Sequence, residues 1–211
     1  MGLVRRVFRR SFEHVDAYAA LWSASNEQAL AAEGPLLVVL GDSAAQGVGA
    51  SAYDRGWVGL VRNRLVARDG RAWRVVNLSR SGAKTRDVLD GQLRAAPEAD
   101  LLVAVVGGND ALHTRAGHWL ADARELVAAL PPGAVVSTTA RGVFERKTRR
   151  INDVIGAEAE ARGLRVADVW AHTGPPYRGL YFDGLHPNDK GYRQWADAVW
   201  AALTAEHRPT S

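Results

Sequence analysis

No cysteine occurs anywhere in this sequence. That excludes a disulfide framework, a thiolate zinc site and a cysteine nucleophile. It fits a cytoplasmic protein, although secreted bacterial proteins can also lack cysteine. No apolar run approaches the ~18 residues that a membrane span needs. The amino terminus, Met1 to Arg10, is basic, but no apolar signal-peptide core follows it. Arg6 stands where the myristoylation pattern wants Ser or Thr. The sequence also lacks G-x-x-x-x-G-K-[ST], which argues against a phosphate-cradling loop. No internal repeat, linker or low-complexity stretch divides the chain.

What is present is ordinary for a globular protein: 47% apolar and 24% charged residues over 211 positions. That length is enough for one domain with a real core. A net charge of +4 and a pI near 9.7 invite a nucleic-acid reading. The arginines, however, are scattered, and no RNA- or DNA-binding signature accompanies them. Charge of this kind bears on solubility and nonspecific contact, and no nucleic-acid partner is expected.

Leu36 to Leu40 is an unbroken apolar run ended by Gly41-Asp42-Ser43. It reads as a short strand buried on both faces. Further strands are expected at Trp73–Leu78, Leu101–Val106, Ala134–Thr139 and Arg165–Trp170. Helices are expected at Trp57–Arg68, from a cap at Thr85, within Ala116–Leu130, over Phe144–Arg162, and from Asn188 or Asp189 to about Ala205. Residues 44–52 read as a small-residue loop, and 171–187 as a long Gly- and Pro-rich loop of the kind that often carries function. Strand and helix alternate, which implies an α/β fold: a three-layer α/β/α sandwich on a mostly parallel sheet of about five strands. Residues 1–34 are expected to be an amino-terminal helical segment, basic at its start, and 35–211 the main domain.

Within that segment Leu3, Val4, Val7, Phe8 and Phe12 fall at helical spacing, with arginines between them. A second helix is expected over Val15–Ala32. Two readings of the basic helix stand. In one, residues 1–12 make weak contact with an anionic membrane surface; in the other, the helix packs on the domain or frays. The chain is therefore expected to be cytoplasmic, and peripheral to the membrane on the first reading.

Four segments carry chemistry. Ser43 lies just beyond the first strand, at the carboxyl end where ligand crevices form. Asp183 and His186 lie three residues apart, close enough on one tight turn for the carboxylate to fix the imidazole tautomer and stabilise the imidazolium. Acyl transfer also needs donors for an oxyanion. Asn109 offers a side-chain NH₂, and Gly82 and Ser43 offer backbone N–H groups. Each has a plainer reading: Gly82 as turn geometry, Asn109 as a strand cap, Asp183 and His186 as a helix-capping segment. Their joint placement at strand ends and in the last loop argues against the plainer set.

Gly41-Asp42-Ser43, Gly82, Gly107-x-Asn109-Asp110 and Asp183-x-x-His186-Pro187 resemble, in order and spacing, the four blocks of the SGNH hydrolases, also called GDSL-type esterases. The resemblance runs from about residue 36 to residue 205. It implies a flavodoxin-like fold and metal-free hydrolysis of carboxylic esters or thioesters, with no cofactor. Carried over, Ser43 is the nucleophile, His186 the general base and Asp183 the residue that orients it. The N–H groups of Ser43 and Gly82 and the Asn109 amide form the oxyanion hole. The chain departs from the family pattern at Ala44, where relatives carry leucine, and at Asn77-Leu78-Ser79, where many carry Asn-x-Gly. No large lid is inserted, so the resemblance implies a small acyl group on an exposed ester, such as an acetylated sugar or a short-chain lipid ester. Asp42 and Tyr181 are candidate substrate-binding residues, and Tyr177, Phe182 and Trp57 are candidate linings of the acyl site.

Two alternative readings compete with this one. Metallophosphoesterases also carry a GD near a strand end and a G-N-[DE] motif, but here His113 and His118 lack partner ligands. A non-catalytic carbohydrate- or lipid-binding relative on the same fold would be signalled by loss of one of Ser43, Asp183 and His186, and all three are present.

Overall fold

The apolar run at Leu36–Gly41 is strand β1, buried along its whole length. Its side chains alternate between two cores. Leu37 and Val39 enter one cluster, while Leu36, Val38 and Leu40 enter the other, as a period of two requires. The computed structural model describes residues 2–142 and 144–205, with side chains from residue 11 onward. Strands β2 (Arg74–Asn77), β3 (Leu101–Val105), β4 (Val135–Ser137) and β5 (Arg165–Ala167) complete a sheet in the order β2-β1-β3-β4-β5. Every pairing is parallel, with Leu37 opposite Val75 on one side and Leu101 on the other. This is the flavodoxin-like order, and its direction of winding reverses between β1 and β3.

Helices cover both faces. The helices α3 (Trp57–Asp69) and α9 (Asp189–Thr204) pack with Leu37 and Val39, burying Trp57, Val61, Tyr192, Ala196 and Val199. On the other face lie α6 (Ala116–Ala129) and α7 (Glu145–Ala161), with Trp119, Leu126, Ile151 and Ile155 inward. The apolar positions recur every three or four residues, the period of one helix face. Asn188 caps α9 by accepting from the N–H groups of Lys190 and Gly191.

The amino-terminal segment forms one helix, α1 (Gly2–Ala31), instead of two. No glycine or proline interrupts residues 12–15, so nothing stops the first helix from continuing into the second. Asn26 donates to the Asn77 carbonyl at 2.9 Å and accepts from the Asn77 N–H at 2.8 Å. Its side chain thus supplies the partner that edge strand β2 lacks. The basic face expected at residues 1–10 lies outside the described side chains; Phe12 is exposed. Among the described residues no helix is long and apolar enough to cross a membrane.

Three local expectations are corrected. The first three residues of the 44–52 stretch join Ser43 in a short helix, α2 (Ser43–Gln46), capped by Asp42. The fifth strand ends at Ala167 because Asp168 turns the chain into α8 (Val169–His172) by accepting from the Ala171 N–H. Thr85 does not cap α4 (Thr85–Asp87); Lys84 holds the cap position, and the Thr85 hydroxyl donates to Asp110. A short helix, α5 (Gly108–His113), also follows β3 directly.

Candidate active site

Ser43 and Asn109 follow β1 and β3, the two strands that flank the reversal in the sheet. Ser43 opens α2. There the Asp42 carboxylate accepts from the Ala44 N–H at 2.9 Å, and the α2 backbone bonds back to the Asp42 carbonyl. The strand end beneath is pinned by Gln92. Its amide accepts from the Gly41 N–H at 2.7 Å and donates to the Gly41 carbonyl at 2.9 Å. The nucleophile candidate therefore stands on a backbone fixed from both sides.

The segment 180–188 folds back on itself. Phe182 N–H donates to the His186 carbonyl at 2.8 Å, and Asn188 N–H to the Leu180 carbonyl at 2.9 Å. At the tip, Asp183 Oδ1 accepts from the N–H groups of Leu185 (2.9 Å) and His186 (2.7 Å), an Asx-type turn. The same turn explains the spacing of three. It leaves Asp183 Oδ2 free to meet His186 Nδ1 at 2.7 Å, while His186 Nε2 lies 3.0 Å from Ser43 Oγ. The three residues form one hydrogen-bonded line, with the Asp183 side chain fully shielded and that of His186 14% exposed.

Burial alone would raise the Asp183 carboxyl. The hydrogen bonds from the His186 ring, Ser11 and the His186 backbone outweigh it and hold the group well below the usual carboxylate range. It is a fixed negative charge at the ring nitrogen remote from the serine. Asp42 behaves in the opposite way: burial pushes its carboxyl up to about 6, against the pull of the Ala44 N–H.

Asn109 sits in the first turn of α5 and lines the cleft. One of its two amide hydrogens goes to the Ala83 carbonyl at 3.0 Å, which leaves the other for a bound oxygen. The neighbouring Asp110 is fully buried and accepts from the Thr85 N–H (2.8 Å), the Thr85 hydroxyl (2.9 Å) and the Thr114 hydroxyl (3.0 Å). It thereby ties the Asn109 turn to the segment after Gly82. Gly82 itself is exposed and does not line the cleft. Its φ of +81° is a left-handed conformation that glycine adopts freely. The loop that carries it is bound to α2, since the N–H and hydroxyl of Ser81 both donate to Gln46 Oε1.

Ser43 and His186 open into a cleft of about 600 Å³ with Val106, Leu112, Ala140, Tyr177, Tyr181 and Leu185 among its walls. Asp42 lines its base, but its side chain is occupied as the α2 cap. Trp57 is not part of the cleft: it is 0% exposed in the core beneath α3. Phe182 faces α1, stacked on His14. Among the described residues no group of three or more His, Cys, Asp or Glu is arranged to hold a metal ion.

Sequence reading did not find Gln92 or Gly49 as parts of this arrangement, and it placed Asp110 in the third block without giving it a role. Gly49 (φ +97°) passes so close to the histidine turn that a Cβ there would lie 2.5 Å from the Pro187 carbonyl oxygen and 3.1 Å from the Cβ atoms of His186 and Phe182. Tyr192 and Tyr18 hold that loop in place, donating to the Val48 and Ala50 carbonyls at 2.7 and 2.8 Å.

The model of the GDSL-like Lipase/Acylhydrolase family matches residues 39–194. The GDSL lipase Rv0518 of Mycobacterium tuberculosis is 39% identical over 61 residues, which are 27% of this chain and 26% of that protein. The match thus spans about a quarter of the relative's length. Among solved structures, that of TesA is 25% identical with a TM-score of 0.67, covering 80% of this chain and 98% of that one. A lipase/acylhydrolase from Enterococcus faecalis is 22% identical with a TM-score of 0.65, covering 84% and 99%. With the family model matched over most of its length, the chain belongs to the GDSL-like lipase/acylhydrolase family.

Proposed function

We propose that this protein hydrolyses a carboxylic ester through an acyl-enzyme on Ser43. One observation carries the reading: His186 bridges Ser43 Oγ and Asp183 Oδ2 at 3.0 and 2.7 Å. A serine hydroxyl is a poor nucleophile until a base within hydrogen-bond reach takes its proton. In this reading His186 Nε2 takes the Ser43 proton as Oγ bonds to the ester carbonyl carbon. Asp183 holds the Nδ1–H and stabilises the imidazolium. The oxyanion is received by the Ser43 N–H group and the free Asn109 N–H. The carbon–oxygen bond then breaks, and His186 returns the proton to the departing alcohol. Water, deprotonated by His186, attacks the acyl-Ser43 ester and releases the acid and free enzyme.

The substrate reading follows from the cleft. Its walls are mostly aliphatic and aromatic, with Arg141, Arg178 and Thr138 also among them, which suits the apolar chain of a short-chain lipid ester better than a sugar hydroxyl array. The volume of about 600 Å³ exceeds what an acetyl group fills. Hydrolysis of a p-nitrophenyl ester series from acetate to decanoate tests this. A kcat/KM that rises from acetate to a short-chain optimum and then falls supports it. A steady fall from acetate, together with activity on acetylated xylose, would replace it with a sugar deacetylase.

A further inference from the structure

The catalytic line proposed above does not end at Asp183. Asp183 Oδ2 accepts a second hydrogen bond, from the Ser11 hydroxyl at 2.5 Å. Ser11 belongs to α1 and lies 172 residues away in sequence. It is 5% exposed, so this contact is inside the protein. We propose that Ser11 is a positioning residue of the active site: it fixes the Asp183 carboxylate so that its shared oxygen stays aimed at His186. The inference rests on the roles proposed for Ser43, His186 and Asp183.

The helix is held where this contact requires it. Among the described side chains of α1, Ser11, Tyr18, Trp22 and Ala29 are buried, spaced seven, four and seven apart along one face. Each anchor on that face has a defined partner. Tyr18 donates to the Ala50 carbonyl at 2.8 Å, Trp22 Nε1 to the Gln46 carbonyl at 3.0 Å, and Asn26 pairs with Asn77. Arg74 binds the Ala29 carbonyl in the last turn of the helix and the Ala32 carbonyl just beyond it, at 2.7 Å each. Near Ser11, the His14 ring stacks on Phe182, one residue before Asp183, with centroids 5.0 Å apart and planes at 24°. These contacts set both the register and the rotation of α1.

The carboxylate needs such a partner. Oδ1 is tied to two N–H groups of its own turn, but the terminal torsion of an aspartate is broad, and Oδ2 must be placed relative to the imidazole. Without Ser11 the only described side-chain group on Oδ2 would be the His186 ring, which has to move a proton while being held. With Ser11, Oδ2 lies between a donor on a rigid helix and the ring it orients, an arrangement comparable to the outer partners that orient ligands at metal sites.

The test uses the full-length protein and compares Ser11→Ala, Asp183→Ala and the double variant with wild type. Ala suits a helix at least as well as Ser, so Ser11→Ala is expected to fold, with Tm lowered only by the lost hydrogen bond to Asp183. It should lower kcat on p-nitrophenyl butyrate by about tenfold, the scale of one lost hydrogen bond to a charged group. KM should not change, and fluorophosphonate labelling of Ser43 should slow by the same factor. In the Asp183→Ala background the Ser11 change should have no further effect, because a residue that acts through Asp183 has nothing left to position. A wild-type kcat and labelling rate in Ser11→Ala overturns the proposal, and so does an equal slowing in both backgrounds. If instead wild-type protein takes no label on Ser43, it is the underlying assignment of Ser43 and His186 that fails.

Discussion

Gly49 and His186 touch across the two loops that build the site: a Cβ at position 49 would lie 3.1 Å from the His186 Cβ and closer still, 2.5 Å, to the Pro187 carbonyl oxygen. The clash is with backbone on an ordered turn, and φ at Gly49 is +97°, so no small adjustment accommodates a methyl group. Gly49→Ala is expected to push the Asp183–His186 turn away from Ser43. Because a displacement on the order of 1 Å can cost about 10²-fold in rate, kcat should fall by about that factor while the far-ultraviolet spectrum stays native. The strained backbone should also lower Tm. Steady-state kinetics beside a thermal melt check this; a variant with wild-type kcat would show that the two loops are not held in register by this contact.

Asn109→Ala is expected to lower kcat by about 10²–10³, or about 2.7–4 kcal/mol, as loss of one oxyanion donor does elsewhere. The change should fall on kcat more than on KM, since the donor matters most once charge has developed. The lost bond to the Ala83 carbonyl adds a modest drop in Tm. Kinetics confined to a KM change would count against the oxyanion role.

The two site carboxylates have opposite consequences for pH. Asp183, held below its ordinary range, contributes stability that is present throughout neutral pH and is lost only as the pH falls below the ordinary carboxylate range. Asp42, pushed by burial up to about 6, binds its proton more tightly in the folded chain than in the unfolded one. Stability therefore falls as pH rises from about 4 through 6, and above that the penalty amounts to about 3 kcal/mol. Asparagine accepts the same capping bond with no charge to bury. Asp42→Asn should thus gain Tm relative to wild type between about pH 4.5 and pH 8, as scanning calorimetry can measure. An equal Tm difference at both pH values would contradict the burial account of this residue.

Much of this arrangement is legible in the sequence because strands impose order on it. An unbroken apolar run such as Leu36–Leu40 can only be a buried strand or helix segment, and its length and terminal glycine select the strand. Once β1 and β3 are placed, Ser43 and Asn109 fall at their carboxyl ends without further assumption, and the Asp183–His186 spacing belongs to one local turn. What was not legible depends on contacts between distant segments. The buried stripe of α1 shows that the helix packs, but not that Ser11 meets Asp183. Gln92 resembles any polar helix residue until its amide is seen pairing with Gly41. Gly49 is one glycine among several until the histidine turn is placed against it. Trp57 stands beside the serine loop in sequence, yet the first turn of α3 carries it into the core. The short helix α2 is hidden by its length, since four residues have no period to read.

The central claim is that Ser43 is an activated nucleophile because His186 and Asp183 are aligned behind it. Labelling with a fluorophosphonate, followed by peptide mapping, tests this most directly, because an ordinary serine hydroxyl hardly reacts with such reagents. The predicted result is one adduct per chain on Ser43, nearly eliminated in His186→Ala, slowed less in Asp183→Ala, and unaffected by EDTA. Native protein that resists the reagent, or that carries it on another serine such as Ser79 or Ser81, would contradict the account.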